Sequence, residues 1–285
     1  MIEPRLVPDM AFDEYLAHEG YGSSDLHTFR AGPPAMVPWR RQNRDDGTSA
    51  TIVGTAAHCA ILTPDLYGKR YVAKPDGMTF ASKEGKAARN EWMQRSLTIL
   101  THDEAQTVAA VVRAFDCKAA ARDSLVGALH SEASVLWTDR ESGLPSKGRP
   151  DWFDSECVYD LKISVAATRG LEAIRYGAVR DGWFHQVAHN RAGLNKAGYF
   201  KVKKGRLVVI APKPPVQFRV WLLEVKENDM DFLELSNENT RREMAKCWRR
   251  GEWPGTPEVW TEVELPVTAA FTDNEIEGAE DYTDV

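Results

Sequence analysis

Residues 148–164 read GRPDWFDSECVYDLKIS, and their reading decides the fold. Asp151 stands near the start; Asp160 and Lys162 follow two apart. The segments 151–154 and 157–163 are short and rich in aromatic and β-branched residues, the second with polar and apolar residues in alternation. The polar Asp154-Ser155-Glu156 between them suits a tight hairpin. Alternate side chains of a strand share a face, so Asp160 and Lys162 point one way while Leu161 and Ile163 point into a core. The hairpin then brings Asp151 beside them. Two carboxylates on one patch can hold a hard divalent cation through oxygen. The ammonium can orient or deprotonate a water, or offset charge on a phosphate. A solvated surface hairpin carries the same residue types, so the trio alone leaves both readings open.

Outward from the hairpin, strands and helices alternate. Residues 130–139 read as one alternating strand with Glu132 at its start, on its own an exposed strand end. Downstream, 166–176 and a run from 181 read as helices. In the second, Phe184, Val187, Ala188 and Leu194 form the buried face, and Gln186, His189 and Asn190 lie together on another. His185 and His189 are spaced like a zinc pair, but no HExxH-type acid accompanies them. Residues 205–210 and 217–224 read as strands across a Pro-rich turn, extending the sheet begun at 133. A long helix from about 228 to 250 stops at Gly251, with Arg241, Arg242, Arg249 and Arg250 read as solvating it. The whole is α/β, a small mixed sheet flanked by helices. One domain spans 1–254, with a helical part at 1–128 and the sheet core at 129–254.

The helical part carries its own candidates. Ser24 is a plausible N-cap for a helix through Leu26, Phe29 and Arg30, ended by Gly32-Pro33-Pro34. A helix N-terminus with hydroxyls can also collect a phosphate. Trp39, Arg40, Arg41 and Arg44 suit nucleic-acid backbone contacts as well as a solvated loop. Apolar residues at 53, 56, 57, 60 and 61 make 52–62 a helix, and His58 lies beside that stripe, where a lone histidine is more often a satisfied core residue than a ligand. Residues 65–80 read as an irregular connection. Ser82 starts the next helix, and Thr101-His102-Asp103-Glu104 is a capping box for another.

Composition sets bounds. At 285 residues, 43% hydrophobic and 27% charged, the chain can bury a substantial core. No apolar run reaches membrane length and no signal-peptide pattern opens the chain, so a cytoplasmic location is expected. Cys59, Cys117, Cys157 and Cys247 are scattered without a CxxC, which speaks against a zinc site, a disulfide framework or an iron–sulfur staple. Residues 255–285 hold nine Asp or Glu and no Lys or Arg; removing that −9 from the net −6 leaves +3 for residues 1–254. The acidity sits in an expected mobile tail, and the body is mildly basic.

The pattern Pro150-Asp151…Asp160-Leu161-Lys162 resembles the PD-(D/E)xK nuclease signature. Gly54-Thr55-Ala56-Ala57-His58, with Ile61-Leu62-Thr63-Pro64 after it, resembles the GTAxH…LxP helix of the RecE-like exodeoxyribonuclease VIII family. Residues 82–88, Gly251-Glu252-Trp253-Pro254 and Ser24-Asp25-Leu26-His27 resemble further pieces of that family and of lambda-type exonucleases. The resemblance runs in pieces from about 20 to 255. It implies a restriction-endonuclease-like core and a phage or prophage recombination exonuclease that degrades the 5′-ended strand of duplex DNA with Mg²⁺, or Mn²⁺ as substitute. It implies Asp151, Asp160 and the Leu161 carbonyl as metal ligands, helped by His58. Lys162 would position the water, supported by Glu132 and Gln186. Ser24, Arg30, Arg40 and Arg41 would contact DNA. It also implies a homo-oligomeric ring on DNA ends and a single-strand annealing partner. One departure stands out: Asn190 occupies the place of a tyrosine that helps Gln186's counterpart brace the site. Another nuclease of the superfamily, endonucleolytic or structure-specific, and a non-catalytic DNA-binding or inhibitor protein are the alternatives.

Overall fold

Caps and apolar spacing set the helical first half of the chain, and turn chemistry sets the strands of the second. The computed structural model describes residues 2–43, 49–216, 219–256 and 258. Arg44 lies outside them, as does the expected acidic tail but for Gly255, Thr256 and Glu258. The first half runs β1 (Arg5–Val7), α1 (Phe12–Ala17), α2 (Ser23–Ala31), α3 (Met36–Gln42), α4 (Ser49–Leu62), α5 (Pro64–Arg70), β2 (Tyr71–Ala73), α6 (Lys83–Gln94), β3 (Thr98–Leu100), α7 (His102–Asp116) and α8 (Ala119–Val126). The second half runs β4 (His130–Ser131), β5 (Ser134–Thr138), β6 (Pro145–Gly148), β7 (Trp152–Phe153), β8 (Cys157–Ile163), α9 (Ala166–Arg169), α10 (Leu171–Arg180), α11 (Trp183–Lys196), β9 (Lys204–Ile210), β10 (Val220–Val225) and α12 (Glu227–Arg250). Residues 1–254 form one compact unit.

The main sheet has the order β10-β9-β8-β7-β4. β8 and β9 are parallel, joined through α9–α11, and the other pairs are antiparallel. One face packs on α4 and α7 through Trp152, Tyr159, Leu161, Val208 and Ile210. The other packs on α10 and α11 through Phe153, Val158, Leu207 and Val209. With both faces covered, the strands are buried on both sides, as a parallel pair requires. A second sheet has the order β1-β5-β6.

Several elements differ from the sequence reading. Residues 130–139 are not one strand: β4 belongs to the main sheet and β5 to the second, and the break falls at Glu132, whose φ of +53° is left-handed. Residues 205–225 therefore extend β8 rather than the strand begun at 133. The helix expected over 166–176 is two, parted at Gly170 with φ +103°. The connection after 64 contains α5 and β2, and β2 pairs in parallel with β3. The cap of α2 is Gly22, whose N–H donates to Asp25 Oδ2 at 2.8 Å, so Ser24 lies inside the first turn. Helix α11 is buried nearly all round from Val187 to Leu194, polar residues included, rather than along one stripe. Among the described residues no helix is long and apolar enough to cross a membrane.

Candidate active site

The hairpin forms as its turn chemistry dictates. Asp154 Oδ1 accepts from the N–H groups of Glu156 and Cys157, both at 2.7 Å, and this closes the link between β7 and β8. Trp152 pairs with Tyr159 and Phe153 with Val158, which sets Asp160 and Lys162 on the α11 face and Leu161 on the α4 face. Asp151, just before β7, accepts the Leu161 N–H at 2.6 Å. Lys162 Nζ lies 2.9 Å from Asp160 Oδ2 and donates to Gln186 Oε1 at 3.0 Å. Gln186 comes from α11, which sits close to the sheets because Gly193 and Gly205 leave no side chain in the way. A Cβ on Gly193 would lie 2.6 Å from the Trp137 ring, and one on Gly205 2.4 Å from Val187.

Two more groups close the constellation. His58, on α4, meets the Leu161 carbonyl through Nε2 at 2.7 Å. A carbonyl only accepts, so Nε2 carries the hydrogen and Nδ1 keeps its lone pair, 3.8 Å from Asp151 Oδ2. Glu132 stands where the chain passes from the main sheet to the second, and its N–H donates to the Asp151 carbonyl at 2.8 Å. Asp151 stands where the chain passes back. Ligand atoms of His58, Glu132 and Asp151 all lie within 4.8 Å of one another. Asp160 is not of that group; it is turned to Lys162, and only 1% of its side chain is exposed.

The electrostatics follow from burial. Burial and the charge of Asp160 push the Asp151 carboxyl well above the usual carboxylate range. Burial and the Lys162 charge lower the His58 imidazole. Burial would lower the Lys162 ammonium as well, but Asp160 and Asp151 outweigh it and hold the group above its ordinary value. Neither oxygen of Asp160 has an aligned hydrogen-bond donor, and the ammonium is its near countercharge. A buried carboxylate in that condition is costly unless a cation shares the site. Three carboxylates, a carbonyl and one imidazole lone pair form an oxygen-rich donor set that fits a hard divalent cation.

These groups, Asp160 excepted, line one cleft of about 800 Å³, between a wall from α1 and α2 and a wall from α4, α5 and the start of β2. Ser24 and His27 lie on the first wall, Thr55, Arg70 and Tyr71 on the second. The three expected DNA-binding arginines do not line it. Arg30 turns to α12, donating to Asn237 Oδ1 at 2.9 Å and Thr240 Oγ1 at 3.1 Å. Arg41 is spent on the carbonyls of His18, Glu19 and Gly20, on Asp25 and on the Tyr21 ring. Arg40 is exposed and donates to Thr28. Arg241, read as solvating α12, is fully buried on Asp139 at 3.2 Å. Asn190 lines the cleft, and its buried Nδ2 has no hydrogen-bond partner. Arg149 was missed; its one sequence signal is its place between Gly148 and the Pro150-Asp151 pair.

No family model matches the chain, and no curated protein matches it. Among solved structures it is similar to the 2.19 Å crystal structure of a "Putative exonuclease" from Eubacterium rectale, with a TM-score of 0.56. The match covers 88% of this chain and 96% of that one at 12% identity, a likeness of fold. The chain has a restriction-endonuclease-like fold. In this restriction-endonuclease-like core the mixed sheet presents β7 and β8 to the cleft, and helices cover both faces.

Proposed function

We propose that this chain is a divalent-metal-dependent deoxyribonuclease of the RecE-like kind, an exonuclease acting on linear duplex DNA. The observation that carries the reading is the convergence of Asp151, Lys162, His58 and Glu132 in one cleft, with Asp160 buried 2.9 Å from the Lys162 ammonium. Asp151, Glu132, the His58 Nδ1 and the Leu161 carbonyl would hold Mg²⁺, or Mn²⁺ in its place, with Asp160 joining them from beside Lys162. With that ion bound, the site gains a Lewis acid that draws charge from the scissile phosphodiester. Lys162, ion-paired with Asp160 and donating to Gln186, would turn a remaining N–H to the attacking water or a phosphate oxygen. Gln186 fixes the ammonium's direction, and the Nε2 bond of His58 fixes the ring that offers Nδ1.

The finer reading is degradation of the 5′-ended strand to leave 3′ single strands for recombination, in the cytoplasm, with a ring-shaped homo-oligomer and a single-strand annealing partner. The sequence resemblance supports it, and so does Ser24 on the cleft wall at the first turn of α2. The test uses end-labelled linear duplex and closed circular DNA, each with and without Mg²⁺. Loss of the 5′-ended strand from linear DNA alone, only with Mg²⁺, is the expected result. Cutting of the circle would make the chain an endonuclease. No cleavage of either would leave a DNA-binding protein that retains the fold.

A further inference from the structure

We propose that Arg149 is the positioning residue of this metal centre: it holds Glu132 in the left-handed turn that brings its carboxylate to His58 and Asp151. The inference rests on the metal-dependent reading above. Glu132 needs a restraint, because a side chain at φ +53° sits in a region that residues other than glycine seldom adopt. Its N–H is held by the Asp151 carbonyl. Its carboxylate is held by Arg149, whose Nε donates to Oε2 at 2.7 Å, and Oε1 is left for a cation.

Arg149 is itself fixed from several sides. Its Nη1 donates to the Met10 carbonyl at 3.0 Å and to Ser134 Oγ at 2.7 Å. Its guanidinium carbon lies 5.9 Å from the Phe12 ring centroid and 5.8 Å from that of Tyr15. Only 12% of the side chain is exposed. Two residues earlier on the chain, Lys147 donates to the carbonyls of Tyr15, Leu16 and His18. The two cations thus fasten α1 as the cleft wall, and Arg149 uses that wall as the anchor from which it reaches Glu132. A guanidinium with a fork of donors can do this where an ammonium cannot.

The inference has a sign that plain electrostatics would reverse. A cation beside a cation site repels its occupant, so removing the charge of Arg149 alone should tighten metal binding. Removing a positioning residue should loosen it. The experiment is Mn²⁺ titration of the purified full chain without DNA, free Mn²⁺ being read by electron paramagnetic resonance. The proteins are wild type, R149Q, R149K, E132Q and the R149Q/E132Q double variant, each checked by thermal melting without metal. R149Q should weaken Mn²⁺ binding at least fivefold, R149K less, and the double variant no more than E132Q alone. Equal or tighter binding by R149Q, or additive losses in the double variant, would overturn the inference while leaving the metal reading in place. Wild-type protein that binds no Mn²⁺ would overturn the metal reading and this inference with it. If R149Q does not melt cooperatively, R149K carries the test: looser binding than wild type supports the inference, and equal or tighter binding overturns it.

Discussion

At Asp160, burial and charge pull in opposite directions. The side chain is 1% exposed, has no aligned donor, and faces the Lys162 ammonium at 2.9 Å. Asp160→Asn keeps the volume and removes the charge, so it should cut DNA cleavage by at least ~10³-fold. The thermal melt and DNA binding in Ca²⁺ should stay close to wild type. Appreciable Mg²⁺-dependent turnover by the folded variant would remove Asp160 from the centre. His58 differs, since 27% of its side chain is exposed, its hydrogen bond is to the Leu161 carbonyl, and its Nδ1 faces Asp151 at 3.8 Å. His58→Ala should raise the half-saturating Mg²⁺ about tenfold and cost only ~1 kcal/mol of stability, the worth of one hydrogen bond. A large fall in melting temperature with an unchanged Mg²⁺ requirement would make it structural instead. The placing of Asp160 and Lys162 on one face was legible because strand alternation fixes which side chains share a face, and that of Asp151 beside β8 because the Asp154 turn closes the hairpin. The roles of Arg30 and Arg41 were not, because a cation's partners come from distant elements that no local period reports.

Among the elements, α11 decides how well the site is held. It brings Gln186 to Lys162, and Gly193 lets it approach Trp137 and Val135. The added methyl of Gly193→Ala would meet buried ring atoms that have nowhere to go. It should cost about 1–3 kcal/mol in urea unfolding. It should also lower turnover more than DNA affinity, because Gln186 moves with the helix. A variant as stable and as active as wild type would show that this close approach does not matter. Local signals made some elements legible. Thr101 and Glu104 form the capping box of α7 as read, and Ser82 caps α6 by accepting the Gly85 N–H. The all-round burial of α11 was hidden because His189, Asn190 and Arg191 look like a solvated face until α2, α12 and the second sheet surround them. The passage of 130–138 between two sheets was hidden too, since each half keeps the same alternation.

For the molecule as a whole, His189 ties stability to pH. It is fully buried, bonded to the Lys147 carbonyl at 2.9 Å, with Arg241 and Arg30 near it and Asp139 behind Arg241. Burial and the Arg241 charge push its pKa down to about 3. An unfolded histidine titrates near ~6.5, so the unfolded chain takes up its proton first. The stability tied to this site is therefore full above that value and is lost as pH falls toward 3, by about 2 kcal/mol at pH 5. Urea melts at pH 7 and pH 5 should show this drop in the wild type and a smaller one in His189→Gln. Equal drops would place the acid sensitivity elsewhere. The layered α/β architecture was legible from the alternation of elements; the division of β4 to β10 between the main and second sheets was not.

The chain crosses directly between the main and second sheets at Glu132 and again at 149–151, and the Glu132 N–H to Asp151 carbonyl bond ties these crossings together. An ion shared by these two carboxylates would act as a removable rivet between the sheets. Its grip would grow with occupancy, reaching about 2.7 kcal/mol at a hundredfold excess over Kd. Where local opening frees the ion, amide hydrogens on both sides of the crossings should then exchange with solvent about a hundredfold more slowly in saturating Mg²⁺, while those of α6, which does not line the cleft, keep their rate. The same ion that equips the cleft for chemistry would set how often that seam opens.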